Sequence, residues 1–94
     1  MTYVPDPAEV RAADRERLAV YEAVSSAISR REEVLRVCYG ARNGDEAVAA
    51  IARLFDLSDQ AARAVMDLQF RRLTQSDRGA INDQIREMRQ RLQE

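Results

Sequence analysis

Any chemistry in this chain would have to come from arginine, carboxylate, tyrosine or a single thiol. The 94 residues include no histidine, and all 15 basic residues are arginines. Without imidazole or lysine, general acid–base work would fall to a carboxylate with a perturbed pKa, and nucleophilic attack to Cys38. Cys38 stands among Val34, Leu35, Val37 and Tyr39. That setting suits a buried structural thiol and offers no base to generate a thiolate. As the lone cysteine it cannot form an intrachain disulfide. Asp67 has Arg63 and Arg71 at helical spacing, a pattern of surface ion pairs rather than of a catalytic carboxylate. Arg71, Arg72, Arg86, Arg89 and Arg91 could fork onto phosphates, but at their spacings they read as solvated helix faces. No catalytic residue, metal site or cofactor is expected, and the chain is not expected to be an enzyme.

The charge balance agrees. Sixteen acids against 15 arginines give a net charge of −1, so no global field draws the chain to DNA or to an anionic membrane. Nucleic acid is not expected to bind it by itself. No segment is apolar enough to span a bilayer, and MTYVPDPAEV lacks the charged-then-apolar layout of a signal peptide, which predicts a cytoplasmic protein without membrane contact. A single domain of this size has a limited core, and burying apolar surface against a second copy is a common remedy.

The elements that would carry these residues read as helices throughout, within one domain spanning residues 1–94. Residues 1–5 are expected to be a disordered tail. Asp6 and Pro7 start a first helix, with Glu9 favouring its dipole. That helix is expected over 7–39, roughly 48 Å long, with Gly40 as a left-handed stop. Leu18, Tyr21, Ile28 and Leu35 form its seam, which Ser25 and Glu32 interrupt, so a kink is expected within 25–32 or the adjoining Arg30–Glu33 cluster. ARNGD at 41–45 is a turn, 45–55 a second helix, and Ser58 caps a third over 58–73. Thr74 and Asp77 open the returning helix, 75–93, despite Gly79, which weakens it by about 1 kcal/mol relative to alanine. Ile81, Ile85, Met88 and Leu92 give it a matching seam at 4-3-4 spacing.

On a wheel of about 100° per residue the third helix shows two apolar stripes. One holds Ala61, Ala64, Val65 and Leu68; the other holds Met66 and Phe70 together with Ala62 and Leu73. A helix greasy on two sides needs two packing partners. Ala61, Ala64, Val65, Leu68, Met66 and Phe70 are therefore the dimer-interface candidates. The expected fold is all-α: a long antiparallel helical hairpin of coiled-coil type with a small two-helix tip, forming a homodimer.

SDQAARAVMDLQFRRLT resembles a segment in the A subunits of DNA gyrase and topoisomerase IV. The matching positions are Ser58, Ala62, Ala64, Val65, Met66, Asp67, Leu68, Leu73 and Thr74, with Asp77 and Ile81 following in register. Upstream, ISRREEVLRV and DEAVAAIARLFDLS resemble the helices that precede this segment in the family, so the resemblance covers about residues 18–94. It departs at Ala61, Gln69 and Gln75–Ser76, where the family has Gln, Arg and Gly–Leu. The resemblance implies the coiled-coil exit-gate tip of a type IIA topoisomerase, where two subunits meet. It also implies that the tyrosine domain responsible for DNA cleavage is absent, and none of Tyr3, Tyr21 and Tyr39 carries the family's catalytic motif. The expected function is a non-catalytic dimerisation module, possible partners being a second copy or the corresponding topoisomerase polypeptide. The alternative is a helical homodimeric adaptor with no role in DNA topology. An all-helical mutase similar to chorismate mutase would need a substrate-binding lysine, which the chain lacks.

Overall fold

A computed structural model describes residues 2–93. They form five α-helices and one short 3-10 turn, with no strand among the described residues. The helices are α1 (Pro7–Ser29), α2 (Arg31–Gly40), α3 (Gly44–Phe55), α4 (Asp59–Met66) and α5 (Gln75–Gln93), and the 3-10 turn is Phe70–Leu73. Thr2–Asp6 have no regular structure, and Met1 of the expected tail lies outside the described residues.

Capping chemistry sets most helix starts. The Asp6 carboxylate accepts from the Glu9 amide at 2.8 Å, with Pro7 in the first turn. Asn43 accepts from the Glu46 amide at 2.9 Å, so α3 begins at Gly44. Ser58 accepts from the Ala61 amide at 3.2 Å. The Thr74 hydroxyl accepts from the Asp77 amide at 3.4 Å and donates to the Arg71 carbonyl at 2.9 Å, bridging the 3-10 turn to α5. At the end of α3, Asp56 takes the left-handed conformation (φ 54°, ψ 56°) and the Leu57 amide reaches back to the Ala52 carbonyl at 2.8 Å. Gly40 does not play the stop role expected of it. No described glycine has positive φ, and Ala41 follows α2 in extended conformation.

The expected helix over 7–39 is two helices, divided at Arg30 (φ −114°, ψ 36°). Its amide still donates to Ser26, while its carbonyl accepts from both Glu33 (3.0 Å) and Val34 (3.2 Å). The guanidinium forks onto Glu33 and lies 4.6 Å from the centre of the Phe55 ring. These contacts turn α2 onto α3, where Val34, Val37 and Cys38 join the core. The expected helix over 58–73 also divides. It ends at Met66, and Gln69 is extended (φ −86°, ψ 146°) before the 3-10 turn. Ending early lets Leu68 and Leu73 pack on the Ile28–Ile81–Ile85 cluster. Tertiary burial of this kind outweighs the weak local preference to extend a short helix.

Helix α1 is the element with two apolar sides. Ala23 and Ala27 face Val48 and the fully buried Ile51 of α3, and Ala61, Ala62 and Val65 of α4. Ile28, with Leu18, Tyr21 and Val24 packed around it, faces Ile81 and Ile85 of α5. The small alanines let α4 approach α1 closely, while the larger side chains fill the α1–α5 gap. Helices α1 and α5 run antiparallel. Arg11 near the start of α1 donates to the Leu92 carbonyl at 3.3 Å, and Glu22 pairs with Arg89 at 3.3 Å. Because α1 stops at Ser29, the two helices are of similar length and α1 has no overhang. Met88 is buried and Leu92 half-buried, but Leu35 leaves the expected seam entirely: it sits beyond the break and is 60% exposed.

Candidate functional site

The break at Arg30 and the early end of α4 together leave an apolar groove of about 200 Å³. Leu35 on α2 forms one rim and Phe70 in the 3-10 turn the other, with Met66, Leu68 and Leu73 along the length between them. Phe70 is 83% exposed. A phenylalanine left in water forgoes about 2 kcal/mol of burial. Tyr39, one turn beyond Leu35, is 95% exposed and extends the apolar surface along α2. Cys38 and Met66 meet in the groove wall, the thiol donating to the thioether sulfur at 3.6 Å. Arg31 lines the groove, no acidic residue does, and exposed Arg71 and Arg72 follow Phe70 in the turn.

The six residues expected at a dimer interface are dispersed by the fold. Ala61 and Val65 are buried inside the chain's own core and cannot meet another molecule while it stays folded. Ala62, assigned on the wheel to the opposite stripe, is buried in the same cluster. The two-stripe reading fails here because Phe70 and Leu73 do not continue the helix. Ala64 is half-buried away from the groove, close to Asp67 and Val20. Met66 and Leu68 line the groove half-buried, and Phe70 is the member that stands free. Leu35 is expected in the seam and Tyr39 carries no expected role, yet both stand exposed, Leu35 on the groove and Tyr39 one turn beyond it. The signal that could have found them was the expected kink, since any break near residue 30 rotates Leu35 out of the seam.

Electrostatics around the break are local. The Arg30 fork holds the Glu33 carboxyl below its ordinary value, and Glu33 in turn raises the Arg30 guanidinium. At the other end of the chain, the Tyr3 hydroxyl donates to Glu9, which raises the Tyr3 phenol. No group of three or more His, Cys, Asp or Glu able to hold a metal ion occurs among the described residues. Tyr21 is packed in the α1–α5 cluster, whereas Tyr3 and Tyr39 are exposed. Among the described residues, no helix is long and apolar enough to cross a membrane.

No protein-family model matches the chain. Over 78 residues, 83% of its length, it is 30% identical to the DNA gyrase A protein of Clostridium acetobutylicum. The chain is similar to part of a gyrase A protein. It spans 9% of that protein's length, so the gyrase A-like region is a small piece of what the complete polypeptide contains. The match supports a gyrase A-like region, and the motif 58–74 ends in the segment that presents Phe70.

Proposed function

We propose that the chain is a non-catalytic dimerisation module resembling the exit-gate tip of type IIA topoisomerase A proteins, and that the groove between Leu35 and Phe70 is its contact surface. The exposed Phe70 beside an apolar groove, inside the gyrase A-like motif, carries this reading. In a two-fold arrangement each Phe70 enters the groove of the other copy, so the same patch serves both molecules. Aromatic side chains bury about 150–250 Å² each and dominate interface energetics. With Leu35 and Tyr39 joining them, two copies approach the roughly 1,000 Å² that a specific interface needs. A surface made this way is also complementary to the corresponding surface of a topoisomerase A protein. The module is then able to associate with that protein and modulate it.

Sedimentation equilibrium of the chain, alone and mixed with a gyrase A protein, tests both parts. A dimer that exchanges with gyrase A supports the full reading. A dimer that does not exchange reduces it to a homodimeric adaptor. A monomer at millimolar concentration removes it.

A further inference from the structure

We propose that Met66 is an oxidation site for peroxide-class oxidants and that its sulfoxide keeps two copies of the chain apart. The inference rests on the groove between Leu35 and Phe70 being the contact surface. Met66 lines that groove and is half-buried. Its sulfur is held at the groove wall by the Cys38 thiol, which donates to it at 3.6 Å. Any oxygen added to this sulfur therefore arises inside the groove or against Cys38. The other methionine among the described residues, Met88 on α5, is 1% exposed and lines no part of the groove.

A thioether has no proton to lose and reacts through its sulfur lone pair. The sulfur attacks one oxygen of hydrogen peroxide and the O–O bond breaks. The sulfur gives up two electrons and keeps that oxygen, and the other oxygen leaves as water. A flexible apolar side chain becomes a polar one. While the groove is open, water hydrates the new oxygen. When Phe70 of a second copy enters, that water is stripped away and an apolar ring takes its place, which leaves a strong acceptor unpaired. The effect runs both ways. Peroxide reaches Met66 through the open groove, so association protects the sulfur, and the sulfoxide in turn favours the separated chains.

The test treats the full chain with hydrogen peroxide, reads sulfoxide by mass spectrometry and molecular mass by sedimentation equilibrium. Cleavage after arginine puts Met1, Cys38, Met66 and Met88 in different peptides, so each sulfur is followed alone. Met66 should oxidise before Met88, and more slowly as rising protein concentration closes the groove. The oxidised chain should dimerise about tenfold or more weakly at unchanged helicity, and a thiol-dependent sulfoxide reductase should restore it. Cys38→Ala should respond in the same way, which separates thioether from thiol oxidation. Met66→Leu added to Cys38→Ala should dimerise and ignore peroxide. Met66→Gln is polar without any oxidant and should dimerise about tenfold or more weakly from the start. A dimer that persists with sulfoxide at Met66, or a Met66→Leu, Cys38→Ala dimer that peroxide still separates, overturns the switch and leaves the groove as the contact surface. A chain that is monomeric at millimolar concentration before any treatment removes the contact surface and the switch together.

Discussion

The Arg30 guanidinium carbon lies 4.6 Å from the centre of the Phe55 ring, joining the break between α1 and α2 to the last residue of α3. The same side chain forks onto Glu33. One residue thus fixes the angle at which α2 leaves α1, and with it the opening of the groove beneath Leu35.

Arg30→Ala should therefore destabilise more than an ordinary surface substitution. The substitution removes both the ring contact and the fork at once, and should lower the melting temperature measurably. Arg30→Lys keeps the charge without the planar stack or fork and should fall between. Thermal melts by circular dichroism decide it: a lysine variant identical to wild type would show that the stack adds nothing.

Acid should weaken the same joint. The folded-state pKa of Glu33 lies below its ordinary value of 4.5 because Arg30 donates to it. The stabilisation is therefore fully present above that ordinary value and is lost as pH falls through the depressed folded one. Glu33→Gln lacks the effect at every pH. Melting temperatures of wild type and variant should differ at neutral pH and converge in acid, and a constant gap from about pH 7 to pH 3 would contradict the assignment.

Ile51 tests the core. It has no exposed surface and joins the α3–α4 pair to Ala23 and Ala27 of α1. Ile51→Ala should cost about 2–5 kcal/mol, a large share of the roughly 5–15 kcal/mol typical of a domain. The urea midpoint should drop with little change in slope. A shift below about 0.5 kcal/mol would mean that this interface is not formed in solution.

Local chemistry made parts of the fold legible. Asp6, Ser58 and Thr74 cap helices as their side chains allow. Leu18, Tyr21, Ile28, Ile81 and Ile85 meet in one cluster as their spacing suggests. What escaped is where tertiary contacts choose between two locally acceptable paths. The run from Ala61 to Leu73 suits a helix, but burying Leu68 and Leu73 against Ile81 and Ile85 requires the chain to turn after Met66. Ala23 and Ala27 give little periodic signal because alanine is neutral on a wheel, and yet they set how closely α4 approaches α1. The groove depends on both decisions, so the spacing marks Phe70 as apolar and unpartnered but assigns Leu35 to the seam.

Glutamate at Leu68 and at Phe70 should have opposite consequences, although the two positions are neighbours in the chain. Leu68 packs on the α1–α5 cluster. A carboxylate there loses the apolar packing of Leu68 on that cluster and part of its own hydration, so Leu68→Glu should mainly destabilise the fold. Phe70 makes no comparable core contact and stands free. Phe70→Glu should leave the melting temperature of the isolated chain within the effect of an ordinary surface change, about 0.5 kcal/mol. On association it should remove the aromatic anchor and force a carboxylate into the other copy's apolar groove, which costs a two-fold interface far more than it costs the monomer. Sedimentation should show monomers at unchanged helicity for Phe70→Glu, and lost helicity for Leu68→Glu. If Phe70→Glu keeps the mass of the wild-type dimer, the Leu35–Phe70 groove is not the contact surface. If the wild type is itself monomeric, the exposure of Phe70 needs a partner other than a second copy.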